Sequence, residues 1–226
     1  MSPQVTCLCL TKDRPQYLTN AIRCFNEQTY KDSHLLVLDS SLDCVIPPAI
    51  LEVEDYCKRV TYVNRNHALF GDPKTIGALR NLAGRLANTQ LLASWDDDDW
   101  SAPERLERQI YTLANFGNKR SVIGYHTMKF TDGSAWWKYC GQPHVAMGTS
   151  LLYKRVWWEK HPFPETQVGE DTSFAAEAWT NQQLHTEDAT GGSDQPFAGD
   201  SDMMVAHIHQ GNSSKKIMNN PYRRLG

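Results

Sequence analysis

Two runs of consecutive apolar residues, VTCLCL at 5–10 and HLLVL at 34–38, stand on either side of a segment in which Tyr17, Leu18, Ala21, Ile22 and Phe25 recur at helical spacing. Unbroken apolar runs of this length suit strands buried on both faces, which belong to parallel sheets covered by helices. Arg14-Pro15 ends the first run, and a proline can open a helix at its first turn. Strand, helix and strand in this order predict a βαβ unit with its two strands parallel.

The same grammar continues. Residues 47–56 can hold a short helix, 60–63 (VTYV) read as a third strand, and 64–74 as a loop punctuated by Gly and Pro. A helix over 75–87 carries Ile76, Leu79, Leu82, Ala83 and Leu86 on one face, with Arg80 off that stripe. The next apolar run, 91–95, stops at Asp96, Asp97, Asp98 and Asp99, and Pro103 starts a helix bearing Leu106, Ile110 and Leu113. Beyond Gly117 the pattern shortens to strands at 121–125, 126–130, 135–139 and 148–153, then a helix over 171–181. The polar, Gly-rich span 186–202 reads as a mobile loop, and 203–208 as a last apolar piece. The expected fold is α/β over residues 1–226 as a single domain: a Rossmann-like, mostly parallel central sheet flanked by helices, with a mixed or antiparallel C-terminal half.

At 226 residues the chain can bury one substantial core, and a formal charge of -3 gives no global argument for nucleic acid or membrane binding. Residues 215–226 form a locally basic tail (Lys215, Lys216, Arg223, Arg224), read as solvated. The six cysteines include no CxxC pair, so reduced thiols are expected; Cys7 and Cys9 alternate on one strand face, which suits packing. No apolar run approaches the ~20 residues of a membrane span, and no charged-then-apolar leader opens the sequence. A cytoplasmic protein without membrane insertion is the expectation.

Chemistry enters at the strand ends. In an open parallel sheet, ligands bind where the carboxyl ends of the strands meet their loops. Thr11 and Asp13 follow the first strand, Asp39 the second and the acid run the fourth, all toward one edge. Taken singly, Asp13 or Ser40 also suits a helix cap or turn. Four successive carboxylates repel one another, and a divalent cation is the simplest neutraliser, although acidic runs also occur as solvated turns. An EF-hand reading fails for want of the loop glycine.

The series VTCLCLTKDRPQYLTNAI, LLVLDSS, IGALRNLAGRLANTQLLASWDDDDWSAPERL, GTSLLYKR, GEDTSF and HQGNSS, in this order, resembles the family-2 type of inverting glycosyltransferases with the GT-A fold, and among them a small, soluble member of bacterial or phage kind. The resemblance runs over residues 5–214. It implies a nucleotide-binding half (1–100) ending in a DxD pair and an acceptor and catalytic half (101–214). Thr11, Asp13 and Asp39 match positions that hold base and ribose, with Arg14 and Asp97 assigned to the same nucleotide site, and Arg80 matches an arginine near the donor nucleotide. Asp96 and Asp98 match the DxD pair, Asp98 as direct metal ligand; Asp97 with Asp99 is the alternative register. Asp171 in Gly169-Glu170-Asp171 matches the catalytic base, and His209 a metal-completing histidine, with His207 on the same strand face as the alternative. Gly148, Thr149, Trp137 and Glu170 are assigned to donor sugar or acceptor.

The implied reaction makes physical sense. A nucleoside diphosphate leaves readily only when its growing charge is neutralised, which Mg²⁺ or Mn²⁺ does as a Lewis acid; an imidazole ligand tilts the choice toward manganese. The acceptor hydroxyl needs a base across the sugar from the departing phosphate, so that attack inverts the anomeric centre. A UDP-sugar is the default donor, and a glycan or a hydroxymethylated DNA base the acceptor. A non-catalytic nucleotide- or sugar-binding domain on the same fold is the alternative. Adjacent tryptophans on a strand face opposite ways, so at most one each of Trp136/Trp137 and Trp157/Trp158 can line a site.

Overall fold

A computed structural model describes residues 4–43, 48–50, 56–190, 202–209 and 222–225. The first half repeats strand and helix: β1 (Val5–Thr11), α1 (Pro15–Glu27), β2 (Ser33–Asp39), α2 (Tyr56–Arg59), β3 (Val60–Asn64), α3 (Ile76–Leu86) and β4 (Leu91–Ser94). Then come β5 (Trp100–Ser101), α4 (Arg105–Phe116), β6 (Val122–Thr131), β7 (Trp136–Cys140), β8 (Leu152–Lys154), α5 (Arg155–Trp158), α6 (Glu170–Thr180), β9 (Leu184–Asp188), β10 (Met204–His207) and β11 (Tyr222–Arg224). The sheet runs β11-β7-β6-β8-β4-β1-β2-β3. Strands β4, β1, β2 and β3 are parallel, and β8, β6, β7 and β11 continue the sheet antiparallel, as the α/β reading with a mixed second half anticipates. Strands β9 and β10 add to β6 in parallel, and β5 pairs with β10.

Both faces of the parallel strands are covered. Val5, Cys7 and Cys9 of β1 pack with Leu18, Ile22 and Phe25 of α1 and Leu106 and Leu113 of α4, while Leu8 packs on the other side with Leu82 of α3 and Phe174 of α6. Burial pushes the Cys7 thiol up to about 12 and raises Cys9 well above its ordinary value, so both stay protonated and serve as packing. Helix α1 starts at Pro15 and α3 is capped by Thr75, whose hydroxyl accepts from the Ala78 amide at 3.2 Å. Phe174 stacks on Phe163 at 4.3 Å and meets Tyr153 at 5.0 Å, aromatic pairs worth about 1 kcal/mol each beyond their buried area, and these fix the start of α6 against β8. Among the described residues no helix is long and apolar enough to cross a membrane.

Several expectations change. Strand β6 is one continuous strand where two (121–125 and 126–130) are expected; it stays extended because β7, β8, β9 and β10 all pair along it. Residues 148–150 form a 3-10 turn before β8. Leu184–Asp188 is a strand, so 186–188 belong to the sheet, Asp202 is buried beside Lys129 at 3.0 Å, and 191–201 lie outside the described residues. Of the helix expected over 47–56, residues 48–50 form a 3-10 turn and 51–55 lie outside the described residues. Trp157 and Trp158 occupy the short helix α5, and both are buried. The tail is partly sheet: Tyr222–Arg224 pairs with β7, while Lys215 and Lys216 lie outside the described residues.

Candidate active site

The carboxyl ends of β1 to β4 open onto a cavity of about 760 Å³. One wall is the loop after β4. Trp95 anchors it from below, 1% exposed, with its indole N–H donating to the Ala21 carbonyl at 3.0 Å. Four acids follow, and donors from distant segments sort them. Asp97 is 1% exposed and accepts from the Thr11 hydroxyl and from Arg14 Nη2, both at 2.7 Å. Burial pushes its carboxyl up to about 7, with Arg14 and Thr11 pulling the other way and Asp98 and Asp96 adding to the rise. Asp99 accepts from the Thr149 hydroxyl at 2.6 Å and the His207 amide at 3.1 Å. Asp98 meets Arg14 Nη1 at 3.1 Å and His209 Nε2 at 2.8 Å, and His209 stacks on Tyr17. Asp96 lies at the mouth, 3.8 Å from Arg80 Nη2. One oxygen each from Asp96, Asp98 and Asp99 can be chosen so that all lie within 4.8 Å of one another.

Behind the loop lies Arg105, fully buried. Its guanidinium donates to the Ser94 and Thr149 carbonyls and the Ser101 hydroxyl at 2.9 Å each, while its Nε reaches Gln109 at 3.3 Å. Burial lowers the pKa of Arg105, against the pull of Tyr125, Cys7, Asp96 and Asp99. Gln109 donates to the Ser150 carbonyl at 2.7 Å. The 3-10 turn at Gly148–Ser150 is thereby bolted to the acid loop.

The opposite wall is the start of α6. Gly169 adopts φ 82°, a left-handed conformation that favours glycine and turns the chain into the helix. Glu170 is buried and accepts from Arg80 Nε at 3.0 Å. Burial disfavours the charge on Arg80, but Asp96, Asp171 and Glu170 together outweigh it and raise its pKa. Arg80 therefore spans the cavity floor from the acid loop to the Glu170 turn. Asp171 is half-buried and accepts from the Thr172 amide at 2.6 Å. Its carboxylate rests on Gly148, where any Cβ would collide with it. Gly148, assigned to donor sugar or acceptor, thus lets the backbone come close to Asp171.

Of the residues singled out in the sequence, Thr11, Arg14, Arg80, Asp96, Asp97, Asp98, Gly148, Thr149, Glu170 and Asp171 line this one cavity, and His209 joins it through Asp98. His207 bonds the Asp98 carbonyl through Nδ1 at 2.8 Å. Glu170, assigned to sugar, spends its carboxylate on Arg80. Asp39 is buried, with Ser41 and Tyr62 on its carboxylate, and Asp13 is exposed at φ 55°; neither lines the cavity. Trp137 packs beside the cluster around Phe130 and Met204, away from the cavity, because its strand is the outer extension of the sheet. Sequence reading missed Arg105, Lys12 and Arg65. The usable signal for Arg105 was a charge one position before Leu106, on a helix that buries both.

S. aureus TarS 1-349 in complex with UDP-GlcNAc superposes with a TM-score of 0.65 at 17% identity, covering 95% of this chain and 62% of that one. Mannosyltransferase PcManGT from Pyrobaculum calidifontis, in complex with GDP-Man and Mn2+, gives 0.63 at 16%, covering 92% and 57%. S. aureus TarS gives 0.64 at 15%, covering 91% of this chain and 37% of that one, so the chain spans less than two thirds of each of these proteins. At such identities the likeness is one of fold, of GT-A type. No curated protein sequence matches the chain. The family model of glycosyl transferase family 2 matches residues 7–182, most of its length, and the chain belongs to that family.

Proposed function

We propose that the chain is a metal-dependent inverting glycosyltransferase that transfers a sugar from a nucleotide sugar, a UDP-sugar first, to an acceptor hydroxyl, with Asp171 as general base. One observation carries this reading: two carboxylate walls, Asp96/Asp98/Asp99 and Asp171, line one cavity and are bridged across its floor by Arg80. Family membership supports a glycosyl transfer, and the UDP-GlcNAc and GDP-Man complexes of the similar folds support a nucleoside diphosphate sugar as donor.

The acid loop fits a divalent cation. Three hard carboxylates converge within 4.8 Å, and Mn²⁺ or Mg²⁺ takes such oxygens, with His209 beside Asp98 as an imidazole donor suited to manganese. Asp96, Asp98 and Asp99 would hold the ion, which when bound neutralises negative charge on the departing diphosphate. The protein's own groups do the rest. Thr11 and Arg14 keep Asp97 turned inward, which leaves Asp96 and Asp98 facing the donor. Arg80 orients the diphosphate from the floor. Asp171 takes the acceptor proton from the wall opposite the leaving group, and this arrangement gives inversion. A glycan and a hydroxymethylated DNA base both remain acceptor classes; a salt-dependent gel shift separates them, since phosphate contacts weaken steeply as salt rises.

The test is nucleoside diphosphate release from a panel of nucleotide sugars with and without Mn²⁺, with the product anomer read by NMR. Metal-dependent release with inversion is expected. Retention of configuration, or equal turnover after chelation, contradicts the proposal, and UDP binding without turnover of any donor favours the non-catalytic binding domain.

A further inference from the structure

Helix α1 begins beside the acid loop, and Tyr17 in its first turn departs from the packing of the rest of the helix. Leu18, Ala21, Ile22, Cys24 and Phe25 are buried, but Tyr17, whose spacing puts it with the same apolar residues, is only half-buried. Its ring instead stacks on the His209 imidazole, with centroids 4.6 Å apart and planes 16° from parallel. Nε2 of that imidazole lies 2.8 Å from Asp98 Oδ2. Tyr17 is itself held in place by the helix start, where Pro15 opens the first turn and the Tyr17 amide donates to the Arg14 carbonyl at 3.1 Å. Arg14 lies 5.9 Å from the ring centroid, at the outer limit of a cation–π contact, and is already tied to Asp97 at 2.7 Å. The close dependant of the ring is therefore His209.

We infer that Tyr17 is a positioning residue of the cation site: its ring fixes the plane of the His209 imidazole so that Nε2 faces the Asp98 carboxylate. The inference rests on the metal reading above and adds to it what makes the site choose between ions. A histidine that ligates a metal needs its ring orientation set by a neighbour, ordinarily through a hydrogen bond to its other nitrogen. A flat stack does this by another route, because it fixes the ring plane while leaving the ring edge, which carries both nitrogens, available for bonds. Three carboxylates alone suit Mn²⁺ and Mg²⁺ alike, whereas an imidazole ligand favours Mn²⁺, so the orientation of His209 decides the preference. The contact is made by the face of the Tyr17 ring, which phenylalanine would reproduce and leucine would not.

Titration of the full chain with Mn²⁺ in the presence of UDP, read by electron paramagnetic resonance, tests this. Tyr17→Leu should weaken Mn²⁺ binding about tenfold, the cost of losing a group that orients a ligating histidine, and Tyr17→Phe should stay within about twofold of wild type. Mg²⁺ affinity, read by displacement of Mn²⁺, should change by less than about twofold in Tyr17→Leu, because that ion takes oxygen ligands. In a His209→Ala background Tyr17→Leu should cost no more than about twofold further, since the ring then has no imidazole to orient. Unchanged Mn²⁺ affinity in Tyr17→Leu, an equal loss of Mg²⁺ affinity, failure of Tyr17→Phe to retain binding, or a loss of about tenfold that persists on top of His209→Ala overturns the inference while leaving the metal-dependent reading in place. A Tyr17→Leu chain that fails to fold assigns the ring to the core and overturns it as well. Absence of Mn²⁺ binding by the wild type overturns both.

Discussion

At the acid end of the cavity each carboxylate is gripped by a donor from a distant segment: Asp97 by Thr11 and Arg14, Asp98 by Arg14 and His209, Asp99 by Thr149, and Asp96 by the reach of Arg80. At the opposite end Lys12 and Arg65 stand exposed, and among the described residues no partner holds their head groups. The first construction fixes charge before the ligand arrives, and fixed charge is what stabilises a developing transition state without reorganisation at the moment of reaction. The second leaves charge solvated and adaptable, which suits a choice among ligands more than acceleration of a step. Substitutions at the acid end should therefore change rate and folding, and those at the exposed end should change only ligand binding.

The largest departure is expected from Asp98→Ala, which removes one of the three carboxylates proposed to hold the cation. Metal-dependent turnover should fall about a thousandfold, in line with several kcal/mol of charge stabilisation, and a manganese titration of activity reads it directly. Arg105→Met comes next. It leaves the Ser94 and Thr149 carbonyls without their buried donor and should lower stability to denaturant by about 3 kcal/mol. Gly148→Ala displaces Asp171, so kcat should drop by about a hundredfold, the scale of an ångström-size misplacement, with little change in nucleotide affinity. Smallest is Arg65→Met, at an exposed position on the cavity's rim, where no more than a severalfold loss of nucleotide affinity at unchanged melting temperature is the expected outcome. If Arg65→Met instead abolished turnover, the division between the two ends would collapse.

Much of this was readable from the residues, for identifiable reasons. Buried parallel strands announce themselves as unbroken apolar runs, so β1, β2 and β4 and the polar residues at their ends could be placed without a structure. The bond between Arg80 and Glu170 joins residues 90 positions apart, and no local pattern encodes it. Asp39 was assigned by position; only the fold shows that Tyr62, brought alongside by the β2–β3 pairing, takes its carboxylate. Trp137 lies away from the cavity, which could not be foreseen because the sequence of an outer strand does not say which neighbours continue the sheet beyond it. The four-Asp run was ambiguous in register for a similar reason: Thr11, which holds Asp97, and Thr149, which holds Asp99, lie far away in the chain.

The central claim is that the two walls divide the labour, cation on one and proton acceptor on the other. Asp171→Asn tests it most directly, because the amide keeps the shape beside Gly148 while removing the base. The account predicts UDP affinity in the presence of Mn²⁺ within about twofold of wild type and a transfer rate lower by at least about a hundredfold, the usual contribution of a positioned base. Wild-type transfer by Asp171→Asn would contradict it.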